Sequence, residues 1–201
     1  MTPQVVVIGG PNGAGKTTIS REVLERTLGI REFVNADAIA AGLSGFDPER
    51  AAFRAGRVML ERLRELAEQR ASFAFESTLA SRTFAPWLRD LVDRGFAVHV
   101  LYVWLRTPEL AVRRVRARVK KGGHGIPDEV IRRRYARSAA NFVGLYRPIV
   151  ERSGGWIVYD NSGNAAEVVA QGRVDTPPII MKPRVYARLV EYSDGTAKEE
   201  D

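Results

Sequence analysis

A chain of 201 residues with 45% hydrophobic and 27% charged side chains suits one α/β domain and excludes global disorder. Folding at this size buries roughly 70% of the surface of the open chain. There is no cysteine, which excludes disulfides, thiolate catalysis and thiolate-held zinc, and the two distant histidines, His99 and His124, suggest no metal cluster. The net charge of +7 fits nucleic acid, anionic metabolites or an acidic partner, but the cations concentrate between Arg106 and Arg137, which favours a local anion site. No run approaches the ~18 apolar residues that span a bilayer. The apolar stretch 5–8 is too short for a signal peptide, so a cytoplasmic protein with no membrane partner is expected.

Residues 5–8 predict a buried parallel strand, and a helix follows over 17–28, stopped at Gly29. Residues 32–35 predict a second strand, 48–70 a long amphipathic helix and 72–76 a third strand. A helix over 84–94 ends at Gly95, and 97–105 form a fourth strand. Thr107 is the expected N-cap of a helix with Pro108 in its first position, reaching Lys121. Pro127, followed by Asp128 and Glu129, opens another helix that runs to about residue 146. Residues 155–159 predict a fifth strand. Pro177, Pro178 and Pro183 blur the remainder, where 179–192 are expected as edge strands and 193–201 as a polar tail. No repeat or linker divides the chain, so a single domain over 1–192 is expected, with a lid at about 106–146. The pattern predicts a doubly wound, mainly parallel five-stranded α/β sheet with ligands beyond the strands' carboxyl ends.

Gly10-Pro11-Asn12-Gly13-Ala14-Gly15-Lys16-Thr17 matches the phosphate-loop pattern G-x-x-x-x-G-K-[ST], and Thr18 follows. A predicted strand precedes it and a predicted helix follows, which a chance Gly-rich turn would not supply. The glycines let backbone N–H groups converge on phosphate oxygens, and the helix N-terminus adds its dipole. Lys16 would reach the β and γ phosphates of ATP or GTP, and the Thr17 hydroxyl would ligate Mg²⁺. A dinucleotide fold is excluded by the glycine spacing. A motor or transporter ATPase should show a strand ending in Asp-Glu, and a GTPase an N-K-x-D motif; both are absent. A P-loop NTPase of the kinase type remains.

Such a kinase needs a base for the acceptor hydroxyl, and Asp37 ends 33–37 where it could serve; its alternative role is a helix cap. Asn35, Glu76, Ser77, Thr78 and Arg82 are expected to hold substrate or water, with a plain turn as the alternative for 76–78. In the lid, Ile131, Tyr135, Ser138 and Phe142 form the packed stripe of a helix, bordered by Asn141 and by Arg134, which is expected as a substrate contact with a solvated arginine as the alternative. Arg114 and Arg118, at i, i+4, flank the apolar face of the preceding helix and could spread charge compensation over a transferring phosphoryl group. His124 lies in the glycine loop between those helices, as a substrate contact or a turn residue.

The ordered set G-P-N-G-A-G-K-T-T (10–18), F-V-N-A-D (33–37), F-E-S-T-L (75–79), G-G-H-G-I-P (122–127), R-R-R-Y (132–135) and Y-D-N-S (159–162) resembles the zeta-toxin family of P-loop kinases, in its short chromosomal branch. The resemblance implies phosphorylation of a nucleotide-sugar such as UDP-N-acetylglucosamine at a hydroxyl, with ATP or GTP as donor. It implies Asp37 as base, Lys16 as phosphate clamp, Glu76 and Thr78 as substrate contacts, and Arg114 or Arg118 as lid arginine. Asp160 and Asn161 would lie near the nucleotide base. The sequence departs from the plasmid toxins at His124, where they carry a second lid arginine. A small antitoxin protein is the partner the resemblance implies. Another small-metabolite kinase is the alternative within enzymes. A polynucleotide kinase or RNA-associated ATPase is disfavoured, because the basic stretch lacks interleaved aromatics for stacking.

Overall fold

Val5, Val6, Val7 and Ile8 are all fully buried, although alternate side chains of a strand point to opposite faces. The strand β1 (Gln4–Gly9) is therefore covered on both faces, as the unbroken apolar run requires. The computed structural model describes residues 2–23, 29–43, 48–122 and 125–196. In it β1 leads to α1 (Lys16–Val23), β2 (Glu32–Val34), α2 (Ala36–Leu43), α3 (Pro48–Glu68), β3 (Phe73–Ser77), α4 (Phe84–Asp93) and β4 (Ala97–Trp104). Then come α5 (Pro108–Val119), α6 (Asp128–Asn141), a π-helical turn (Phe142–Tyr146), α7 (Arg147–Val150), β5 (Gly155–Asp160), β6 (Glu167–Arg173), β7 (Thr176–Ile180) and α8 (Pro183–Asp194).

The sheet runs β2-β3-β1-β4-β5-β6-β7. Its first five strands are parallel, with Ile8 opposite Glu76 on one side and Leu101 on the other. They are the five strands expected, and β6 and β7 add an antiparallel extension. The expectation of edge strands over 179–192 holds only at Ile179 and Ile180; residues 183–194 are helical. Pro183 stands in the first turn of α8, where its missing N–H costs nothing. Val185, Tyr186, Leu189 and Tyr192 repeat at helical spacing, and Tyr186 stacks on Trp156 with ring centroids 6.1 Å apart. Pro177 and Pro178 are tolerated because β7 is an edge strand. The tight turn into it uses Asp175 at φ 54° instead of a glycine, so its signal in the sequence is weak. Ser193 and Asp194, read as tail, are the last residues of α8.

The helix expected over 17–28 is described to Val23, and residues 24–28 lie outside the described part. Thr107 caps α5 as expected, accepting a hydrogen bond from the Leu110 N–H at 3.2 Å. Ion pairs Arg116–Asp128 and Arg132–Glu109 join α5 to α6. The helix predicted to reach residue 146 widens into the π turn at Phe142. Pro148 supplies no N–H to the carbonyl of Gly144, so the regular ladder is interrupted there.

Candidate active site

The phosphate loop joins β1 to α1, and its glycines are required by contact as well as by conformation, as Gly13 and Gly15 show. Gly13 has φ 77°, and a Cβ there would stand 2.7 Å from the Ala111 carbonyl oxygen of α5. Gly15 has φ 86°, and a Cβ would stand 2.5 Å from the Asn161 amide nitrogen. The Lys16 ammonium donates to the carbonyls of Gly10 at 2.9 Å and Pro11 at 3.1 Å. The Oδ1 atom of Asn12 is buried with no hydrogen-bond partner among the described residues, a polar group suited to a ligand in the loop. Thr18 follows Thr17 on the exposed first turn of α1.

Parallel pairing sets the carboxyl ends of β1, β3 and β2 side by side, and each carries one charged group of the site. Glu76 spans two hydroxyls: Thr17 donates to its Oε2 at 3.3 Å and Ser20 to its Oε1 at 3.4 Å. Burial raises the Glu76 pKa, and the Lys16 charge offsets part of that rise. Burial lowers the Lys16 pKa, while Glu76 and Asp37 hold it up and Arg118 pushes it down. Lys16 thus feels the charges of Glu76, Asp37 and Arg118, groups read from three other segments.

Asn35 is the cap of α2, its Oδ1 accepting from the N–H groups of Asp37 at 2.8 Å and Ala38 at 3.2 Å. Asp37 is therefore not the cap that its position before 38–40 allowed. Ser77 and Thr78 turn back on their own loop, accepting from the N–H groups of Leu79 at 3.1 Å and Ala80 at 3.4 Å. Leu79 adopts φ 54°, and the surroundings must hold it there. They do so from α6 and the π turn. Ser138 donates to the Thr78 carbonyl at 2.6 Å, Asn141 to that of Leu79 at 2.8 Å, and Tyr146 to that of Ser81 at 2.6 Å. Burial pushes the Tyr146 hydroxyl up to about 12, keeping it a donor. Asn141 also accepts from Arg82 Nε at 3.4 Å, so the amide orients both loop and guanidinium.

On the other side of the loop, Arg114 packs its Cβ 3.3 Å from the position of a Gly13 Cβ and donates to the Gly163 carbonyl at 3.5 Å. Asp160 is buried, paired with Arg106 at 2.7 Å and accepting from the Ser162 N–H at 2.9 Å. Asn161 reaches the phosphate loop itself, donating to the Ala14 carbonyl at 2.7 Å. Arg134 is exposed on α6, and His124 lies outside the described residues. Ser20, Arg106, Ser162 and Tyr146 were not foreseen from the sequence. Ser138 and Asn141, polar residues three apart on an apolar helix face, carried a readable signal that they hold something.

Oxygen donors dominate beside the loop, which fits Mg²⁺. Among the described residues no three of His, Cys, Asp and Glu gather as metal ligands. A Mg²⁺ ion would thus be held mainly through nucleotide phosphates, the Thr17 hydroxyl and water facing Glu76.

A phosphate loop between β1 and α1, flanked by carboxylates at the ends of β2 and β3, defines a P-loop NTPase of the kinase type. A family model described as an AAA domain matches residues 5–143, and the chain belongs to that family. A relative from Haemophilus influenzae, described as an uncharacterized protein, is 30% identical over 135 residues, which are 67% of this chain and 94% of its own. The structure of AvrRxo1-ORF1:-ORF2 with ATP is similar at TM-score 0.76 and 14% identity, covering 100% of this chain and 66% of that one. This chain therefore spans just under two thirds of that neighbour. A structure from the PezAT chromosomal toxin-antitoxin system of Streptococcus pneumoniae is similar at TM-score 0.66 and 18% identity, covering 98% and 81%. At such identities the likeness is one of fold, and the fold is that expected from the zeta-toxin resemblance. No described helix is long and apolar enough to cross a membrane.

Proposed function

We propose that this protein transfers the γ-phosphoryl group of ATP or GTP to a hydroxyl of a small anionic acceptor, with nucleotide-sugars such as UDP-N-acetylglucosamine as the leading class. The observation that carries the reading is the hydrogen bond from Thr17 in the phosphate loop to Glu76 at the end of β3, with Lys16 and Asp37 close enough for their charges to act on that carboxylate. Lys16 neutralises charge on the β and γ phosphates as the bond between Pγ and the bridging oxygen breaks. Asp37 takes the proton of the acceptor hydroxyl as its oxygen bonds to Pγ, and the nucleoside diphosphate leaves. Arg118, whose charge reaches Lys16, compensates the transferring group from the lid side. Bound Mg²⁺ would supply further charge neutralisation at the β and γ oxygens. Glu76 orients the Thr17 hydroxyl and the water around that ion. The loop 78–82, pinned by α6, presents Arg82 to the acceptor.

The ATP complex of AvrRxo1-ORF1:-ORF2 supports the donor, and the PezAT system supports a small antitoxin as a partner. The experiment is ³¹P-detected turnover with Mg-ATP or Mg-GTP over nucleotide-sugars, free sugars and oligonucleotides. A new phosphomonoester on a nucleotide-sugar is expected. Turnover of free sugars alone would replace the acceptor class, and turnover of oligonucleotides alone would make the protein a polynucleotide kinase.

A further inference from the structure

The buried polar side chains are few, and all brace the loops of the site. Among the described residues they are Ser20, Ser138, Asn141 and Asp160, bound to Glu76, the Thr78 and Leu79 carbonyls, and Arg106 with Ser162. Asn161 is only half-buried, yet its contact is the most consequential. Its backbone N–H is fixed on the Trp104 carbonyl at 2.9 Å, which anchors the residue at the end of β5. From there its side-chain amide donates to the Ala14 carbonyl at 2.7 Å. In a planar trans peptide the carbonyl of one residue and the N–H of the next point in opposite directions. Holding the Ala14 oxygen toward Asn161 therefore turns the Gly15 N–H the other way, away from the end of β5. Gly15 tolerates this only without a side chain, at φ 86° and with the Asn161 nitrogen where its Cβ would be.

We propose that Asn161 is a positioning residue for the nucleotide phosphates: by gripping the Ala14 carbonyl it aims the Gly15 N–H at a phosphate oxygen. The role rests on the phosphate-loop reading of the site, and it differs from the base contact implied by the family resemblance. Only a donor serves. An amide at this position completes the hydrogen bond, whereas a carboxylate would face the Ala14 oxygen with like polarity.

The test is calorimetric titration of wild type, Asn161→Ala, Asn161→Asp and Asn161→Gln with Mg-ATP, Mg-GTP and Mg-tripolyphosphate, alongside thermal melts. Tripolyphosphate carries the phosphates without a base. Asn161→Ala should weaken all three by the same factor, about tenfold for one misaimed charge-assisted hydrogen bond. Asn161→Asp should lose more, and Asn161→Gln, which keeps the amide and so the safest fold, less. Unchanged tripolyphosphate affinity with an altered ATP-to-GTP ratio would overturn the proposal in favour of a base contact. A lowered melting temperature with all three affinities intact would overturn it in favour of a structural role. If the wild type binds none of the three probes, the phosphate-loop reading itself falls, and the proposal with it.

Discussion

The Thr17 hydroxyl donates to Oε2 of Glu76 at 3.3 Å, joining the end of the phosphate loop to the end of β3 across 59 positions of sequence. The pair places a carboxylate beside the hydroxyl that P-loop kinases use for Mg²⁺, and Ser20 secures its other oxygen at 3.4 Å. Glu76 is held there against its own solvation: burial raises its pKa even with the Lys16 charge nearby.

Neutralising that carboxylate should separate stability from activity. Because the folded pKa of Glu76 is raised, the unfolded chain ionises first as pH climbs past the ordinary carboxylate range. The Glu76 contribution to stability is then fully present in acid and lost as pH rises through the folded pKa. Glu76→Gln should lack this loss and melt no lower than wild type at neutral pH. Its Mg²⁺-dependent turnover should nonetheless fall by about 10²-fold or more, since a preorganised charge is gone. Melting curves at several pH values, with turnover measured in parallel, check both halves. A variant that melts lower yet turns over normally would make Glu76 a structural residue.

Lys16→Ala should reduce turnover by roughly 10²-fold or more. Removing an ammonium that is costly to desolvate should leave the fold intact. Nucleotide titration and a thermal melt are the measurements, and equal affinity and turnover in both proteins would remove the phosphate-loop assignment.

Arg118→Ala tests the lid. Its charge is needed chiefly as the phosphoryl group moves, so kcat should drop much more than nucleotide affinity. A change confined to melting temperature would assign Arg118 to packing and ion pairing.

Asp37→Asn distinguishes a kinase from a water-directed ATPase. The cap of α2 is Asn35, so the substitution leaves the helix start intact. Transfer to the acceptor should fall by roughly 10²–10⁴-fold, the usual worth of a positioned base. Mg-nucleotide affinity should hold within a few-fold, and acceptor-free hydrolysis should be affected less. Side-by-side assays of transfer and hydrolysis give the answer; a parallel fall in both would move the base to Glu76.

The sequence by itself determined what is local. The phosphate loop is eight consecutive residues between an apolar run and a helix, and its chemistry follows from spacing alone. The parallel strands were legible because the central ones are short apolar runs between turn signals, and the start of α5 because Thr107 and Pro108 adjoin. The C-terminal hairpin and α8 were not, since edge prolines and a glycine-free turn mimic irregular chain. Only the tertiary structure decided which distant groups meet. Thr17 finds Glu76 because β3 lies beside β1, and Asn161 reaches Ala14 because β5 ends beyond β4, near the loop. Residue periodicity tells which face of a strand is buried, but strand order sets its neighbours. That order emerges from packing the whole chain at once, so no single segment encodes it.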